Sequence, residues 1–217
     1  MVELACLCVI PLLALTACEV AVGGTPSPGA PDIRRVAPAE AVRLYRIMTP
    51  MLRAMDHPRS PKDVYIGIMD DREINAANAG SDQFYVTTGL LEKANDEELR
   101  GVMAHEIAHE DLGHVAELQT LGLGLNAGVI LLEQLFPGSS AVTPIAGSLI
   151  ARGYSRSEES AADRHAVEIL RRAGYSKNDL IYALEWIERV SGGSSGGGFL
   201  ATHPATEDRI QVLKRVS

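Results

Sequence analysis

The sequence predicts an α+β fold, mainly helical, with one small β-sheet beside a central polar-faced helix. Three observations carry this. Long stretches between residues 39 and 216 have helical spacing, the β-rich runs are confined to residues 64–88, and those runs come just before the helix with the densest chemistry. The chain has 217 residues and 46% apolar content, enough to bury one proper core.

The N-terminal 38 residues are expected to stand outside that domain. Leu4 to Ala17 is an apolar stretch of signal-peptide length, too short to span a bilayer as a stable helix. It ends in Leu15-Thr16-Ala17-Cys18, which resembles a lipobox: a branched apolar residue, two small residues, then the cysteine that becomes lipidated. Residues 1–17 therefore read as a lipoprotein signal peptide and Cys18 as the lipid carrier. Residues 18–38 are rich in Gly and Pro and read as a flexible tether. By resemblance to Gram-negative lipoproteins, Glu19 after the cysteine favours the periplasmic face of the outer membrane. An inner-membrane anchor and a secreted periplasmic form are the alternatives. All three cysteines (Cys6, Cys8 and Cys18) lie in this segment, so the domain at 39–217 has neither a disulfide framework nor a cysteine metal site. A net charge of −8, with no basic block, argues against a nucleic-acid partner.

Within the domain, Ala39 to Met55 has helical spacing, with Val42, Tyr45, Ile47 and Leu52 as its apolar positions; Pro50 is expected to kink or split it. Val64–Met69, Ile74–Ala77 and Phe84–Thr88 read as strands, with a turn containing Ala79-Gly80-Ser81-Asp82. Asn95 with Glu98 makes a capping-box start for a helix running through at least His114. Residues 118–151 are apolar and Gly-containing, broken at Pro137-Gly138. They read either as a buried helix pair or as a surface hairpin near the site or membrane. Further helices are expected over Ser155–Ala173, from Ser176 to Val190, and over Pro204–Val216, with a flexible loop at 191–198.

The chemistry begins at His105-Glu106-Ile107-Ala108-His109. On a helix, residues i and i+4 share a face, so both imidazoles can reach one metal ion. Glu106 is rotated from them by about 100°, within reach of a metal's water without being a ligand. Zinc suits such a site because it accepts neutral imidazole and carboxylate and can keep a position open. A metzincin would need Gly and His where Leu112 and Val115 stand, which excludes that class. His114 is out of helical phase with His105 and is expected to face away, as a helix-end or surface histidine. The next polar helix offers Glu159 and Asp163 at i and i+4, fitting a ligand and a carboxylate that orients a ligand histidine. Glu158 and Glu159 alone also fit a solvated acidic face.

These motifs together resemble peptidase family M48, the HtpX-like and Ste24-like gluzincins, and in particular its periplasmic bacterial members. The family pattern Ser-Arg-x-x-Glu-x-x-Ala-Asp falls on Ser155, Arg156, Glu159, Ala162 and Asp163. Ile74-Asn75-Ala76 with Val86-Thr87-Thr88-Gly89-Leu90-Leu91 resembles its strand pair, and Thr202-His203-Pro204-Ala205-Thr206-Glu207-Asp208-Arg209-Ile210 its C-terminal motif. In place of the family's Pro-Gly-Gly turn stands Asn78-Ala79-Gly80-Ser81-Asp82. The resemblance implies one zinc ion held by His105, His109 and Glu159, with Glu106 as general base. It places His203 near the zinc, aiding catalysis or occupying its fourth position, with Asp163 and Arg209 supporting the ligands. The implied activity is a zinc metalloendopeptidase of the bacterial envelope acting on unfolded or extended polypeptides. The alternative is an assembly factor, partnered with outer-membrane assembly machinery, whose peptidase is latent. Substrate is expected to add a strand along Phe84–Thr88, with Asn75, Tyr85 and Val86 as binding residues.

Overall fold

A computed structural model describes residues 38–118, 154–191, 198–204 and 207–215. The signal segment, Cys18, almost all of the tether and nearly all of the apolar 118–151 stretch lie outside them. The elements are α1 (Pro38–Ala54), a 3-10 turn (Pro61–Asp63), β1 (Tyr65–Met69), β2 (Ala76–Gly80), β3 (Gln83–Thr87), α2 (Thr88–Lys93), α3 (Asp96–Asp111), α4 (His114–Leu118), α5 (Arg156–Arg172), α6 (Asn178–Val190), α7 (Phe199–Thr202) and α8 (Glu207–Arg215). This is the mainly helical α+β zincin arrangement that the sequence predicts. Among the described residues no helix is long and apolar enough to cross a membrane.

Helix α3 is the axis of the core. Leu99, Val102, Met103, Ala104, Ile107 and Ala108 are buried around its circumference, so it is covered on several sides rather than along one stripe. Helices α1, α5 and α6 supply the covering, through Leu44, Met48 and Met51, through Ala162, Ala166 and Leu170, and through Leu180, Ala183 and Leu184. Gly101 lets α6 approach: a Cβ there would stand 2.2 Å from the Asp179 carbonyl oxygen. Reciprocal capping fixes where α3 starts. Asn95 Oδ1 accepts from the Glu97 and Glu98 backbone N–H groups, and Glu98 Oε2 accepts from Asn95 N–H, each at 2.9 Å.

Three expectations need correction here. Pro50 does not split α1, because Met48, Met51 and Leu52 on either side are fully buried and the packing carries the helix through the missing hydrogen bond. The buried face of α1 is Leu44, Ile47, Met48, Met51 and Leu52, whereas Val42 and Tyr45 are exposed. Helix α3 does not reach His114. It ends at Asp111, and Gly113 turns the chain with φ +69° before α4 begins.

The sheet order is β1-β3-β2, with β3 parallel to β1 and antiparallel to β2. The β2–β3 turn is Ser81-Asp82, both left-handed (φ 54° and 58°), as a two-residue hairpin turn requires. Asp82 is held there: its N–H donates to Glu110 Oε1 at 2.9 Å, and its carboxylate accepts from Arg59 Nε at 2.7 Å. Strand β3 is therefore central and paired on both sides. It has no free edge for a substrate, and Val86 points into the core with no exposure. The strand bordering α3 is β2, since Asn78 N–H reaches Glu106.

Candidate metal centre

One turn of α3 separates His105 from His109, and their Nε2 atoms stand 3.1 Å apart. The first turn of α5 brings Glu159 across α3, placing Oε2 3.4 Å from His105 Nε2 and Oε1 3.3 Å from His109 Nε2. The start of α5 is set by a second capping box, in which Ser155 N–H donates to Glu158 Oε2 at 2.6 Å. Glu158 is thereby occupied at the helix end, and its neighbour Glu159 faces the histidines. From the turn after α7, His203 adds Nδ1, 3.2 Å from His105 Nε2 and 3.0 Å from Glu159 Oε1. All four residues are buried, and their donor atoms lie within 4.8 Å of one another.

This donor set fits zinc. Ligand bonds of about 2.0–2.1 Å in a tetrahedron put neighbouring donors about 3.3 Å apart. The donor spacings here run from 3.0 to 3.4 Å. Burial pushes His109 well below its ordinary value, which leaves the neutral imidazole that a metal needs. Burial would also lower His105, but Glu159 and Asp163 outweigh it and push the imidazole up to about 9. Burial works against ionised Glu159, yet the charges of His203 and His105 hold it well below the usual carboxylate range. The pocket is thus built to keep carboxylate charge and to draw a cation.

Glu106 is fully buried, and its two oxygens have different surroundings. Oε2 accepts the Asn78 backbone N–H at 2.8 Å, while Oε1 lies 3.3 Å from His203 Nε2 without making a hydrogen bond. Strand β2 thus fixes one oxygen and leaves the other facing the donor set.

Behind the donors, Asp163 Oδ1 lies 3.2 Å from His105 Nδ1, close but not aligned for a full hydrogen bond. Arg209 grips Asp163 with two bonds, Nε to Oδ2 at 2.8 Å and Nη2 to Oδ1 at 2.7 Å. Its Nη1 is 2.5 Å from Glu159 Oε2 and donates to Pro204 O at 3.0 Å. One guanidinium therefore steadies both carboxylates and the segment carrying His203. Burial opposes the charge of Asp163, but Arg209 and His105 pull the carboxyl below its usual value.

His203 itself is held at several points. Phe199 stacks on its ring at 4.5 Å and donates its N–H to Ile74 O at 3.1 Å. Gly198 N–H donates to Glu73 Oε2 at 3.0 Å, and Thr202 O accepts from Tyr154 N–H at 3.1 Å.

The sequence reading misplaced one neighbour of the donor set and passed over another. His114 does not face away: the chain turn at Gly113 folds it back so that its Nδ1 is 2.8 Å from His109 Nδ1. It is a buried partner for His109, meeting the ring nitrogen that points away from the donor set. Tyr154, just before the Ser155 cap, lays its ring 3.9 Å from that of His109 and 5.0 Å from that of His203. Only its position beside the Ser155-Arg156 motif hinted at it.

Of the expected substrate residues, Asn75 is buried and tied to Thr87 by its backbone, while Tyr85 and Val86 sit on the central strand away from the donors. A second group, Asp56, Asp111 and His165, lies at the C-terminal end of α3. Asp111 there accepts from the backbone N–H groups of Asp56 and His57 and bonds His165 Nε2 at 2.6 Å, tying α5 to the end of α3.

The sequence model of peptidase family M48 matches residues 38–217. The chain belongs to peptidase family M48. Among curated relatives it is similar to the metalloprotease YcaL of Escherichia coli K12, 27% identical over 67% of this chain and 59% of that protein. It is also similar to the metalloprotease LoiP of the same organism, 26% identical over 82% of this chain and 72% of that one. A protease HtpX homolog of Bacillus licheniformis is 29% identical over 69% of this chain and 62% of its own length. The chain thus spans about three fifths of two of these relatives. Membership in this family implies a metal, typically zinc, and the donor set described above is where a metal would bind.

Proposed function

We propose that this chain is a zinc-dependent endopeptidase of the bacterial cell envelope that cleaves unfolded or misassembled envelope proteins. The observation that carries the reading is Glu106, one oxygen fixed by Asn78 N–H and the other turned to donors at zinc spacing. A purely structural zinc site has no use for a buried carboxylate held in that way.

His105, His109 and Glu159 would hold the ion. Zinc bound there supplies a Lewis acid that activates water and polarises a peptide carbonyl. Glu106 takes the proton from the attacking water through its free Oε1 and returns it to the leaving amine. Asp163 orients His105, His114 orients His109, and Arg209 keeps both carboxylates ionised. An extended peptide using a strand edge here would meet β2 rather than β3, because β2 borders Glu106 and β3 is already paired on both sides.

A second reading, an assembly factor with a latent peptidase, is favoured by His203. Its Nδ1 stands at the fourth corner of the donor set, and a zinc site closed by four protein ligands resembles a structural one. The resting chain is then restrained, and substrate or a partner must draw His203 aside. The lipobox at Leu15-Thr16-Ala17-Cys18 supports attachment to the outer membrane by lipid, where assembly machinery would be the partner.

The test is casein cleavage by the zinc-loaded full chain with and without a chelator. Chelator-sensitive cleavage supports the peptidase; zinc binding without cleavage, even after His203→Ala, overturns it. Cys18→Ser should abolish incorporation of labelled fatty acid and release the chain from membranes; retained labelling would overturn the anchor.

A further inference from the structure

We propose that Tyr154 is a further catalytic residue, its phenol donating a hydrogen bond to the substrate carbonyl oxygen as that oxygen gains negative charge. The assignment rests on the peptidase reading above and adds a donor that the motifs do not supply.

The first ground is an anomaly. Tyr154 is 5% exposed, and its hydroxyl has no hydrogen-bond partner among the described residues. Buried hydroxyls are nearly always paired, since leaving one unpaired forfeits its bonds to water. Phenylalanine would fill the same space without that cost. The hydroxyl therefore has a use that packing does not explain.

The second ground is position. The ring lies against the donor set: 3.9 Å from the His109 ring at an interplanar angle of 32°, 5.0 Å from that of His203, and 6.2 Å from that of His114. A phenol whose ring packs on both His109 and His203 is a hydrogen-bond donor at the edge of the donor set, with no partner of its own among the described residues.

The third ground is rigidity. Tyr154 N–H donates to Thr202 O at 3.1 Å, and the next residue, Ser155, caps the helix that carries Glu159. The ring is thus fixed between the helix of one metal-binding residue and the turn of another. Donors fixed in advance stabilise developing charge without reorganising during the reaction. No proton leaves the phenol; it donates one hydrogen bond, stronger to the charged oxygen than to the neutral carbonyl.

The experiment compares wild type with Tyr154→Phe, both as zinc-loaded full chains in detergent. Zinc content and melting temperature check that the ring still packs. Binding of a dipeptide phosphoramidate, which mimics the charged tetrahedral state, is measured by calorimetry beside an uncleavable substrate-like peptide. The expected result is phosphoramidate binding weakened about tenfold or more, with the substrate-like peptide bound as before. In turnover of a fluorogenic peptide, kcat should fall about 100-fold with KM little changed. A variant that binds the phosphoramidate as tightly as wild type overturns the assignment of Tyr154 alone. A wild type that binds no phosphoramidate and cleaves nothing overturns the peptidase reading, and this assignment with it.

Discussion

The backbone N–H of Asn78 donates to Glu106 Oε2 at 2.8 Å, so an edge strand rather than a side chain holds the proposed base. A glutamine at 106 can keep that bond through its amide oxygen, because the donor is a main-chain group. Glu106→Gln is therefore expected to keep the fold and the zinc and to lose about 100-fold or more in peptide hydrolysis. Turnover at the wild-type rate with full zinc content would remove Glu106 from the mechanism.

Glu158 and Glu159 are adjacent acids with different work. Glu158 closes the capping box of α5, whereas Glu159 faces both histidines and forms an ion pair with Arg209. Glu159→Ala should strip zinc from the purified chain. Glu158→Ala should leave zinc in place and cost about 1 kcal/mol of stability through the lost cap. Metal analysis and thermal melts decide, and the reverse order of zinc loss would reassign the third ligand.

Helical arithmetic made only part of the donor set legible: His105 and His109 are one turn apart on a capped helix. Glu159 and Asp163 repeat that spacing on the next, but a solvated acidic face fits it equally, and Glu159 and His203 were assigned through the family resemblance. What was not legible depended on where regular structure stops or which strands pair. His114 was placed by continuing the phase of α3, and the helix ends three residues earlier, so Gly113 turns that histidine back onto His109. A β-rich composition marked Phe84–Thr88 as a strand, but it cannot say that β1 pairs on one side and β2 on the other. Tyr154 lies just outside a helix, where no period applies. Only its fixed place and unpaired hydroxyl expose it.

Arg209 balances two buried carboxylates at once. Replacing it with alanine leaves Asp163 and Glu159 with less opposing charge, and the unpaired buried charge is expected to cost about 3–5 kcal/mol. Arg209→Lys should rescue little, because a point charge cannot reproduce the two-bond grip on Asp163. Both carboxyls are depressed in the folded chain, so their stabilisation is present above their unfolded values near about 4 and is lost as pH falls through the folded ones. With Arg209 gone the folded values rise, and acid unfolding should begin at higher pH. An acid midpoint unchanged by Arg209→Ala would contradict this account.

Two glycines separate close packing from turn geometry. At Gly101 a Cβ would stand 2.2 Å from Asp179 O and 2.7 Å from Ala183 Cβ, so Gly101→Ala must push α6 off α3. The expected cost is about 3 kcal/mol, a fall of roughly 6–12 °C in melting temperature. At Gly113 nothing among the described residues lies within 4 Å of the added atom, and the φ of +69° is what opposes it. Gly113→Ala should cost about 1 kcal/mol. Equal losses from the two changes would mean that α3 and α6 do not meet as described.

His203→Ala tests whether the donor set is restrained at rest. His203 Nδ1 stands 3.2 Å from His105 Nε2, its Nε2 is 3.3 Å from Glu106 Oε1, and Phe199 stacks on its ring. The imidazole thus fills both the fourth donor corner and the space before the proposed base, where substrate would have to sit. Alanine leaves His105, His109 and Glu159 as three ligands, the number typical of catalytic zinc, and opens that corner. Zinc should bind somewhat less tightly and casein cleavage should rise, accompanied by cleavage of the chain itself. A simple loss of activity would mean that His203 contributes more to the reaction than it blocks. Rates and zinc affinity both equal to wild type would mean that the imidazole neither ligates nor guards the site, whatever its distance from His105.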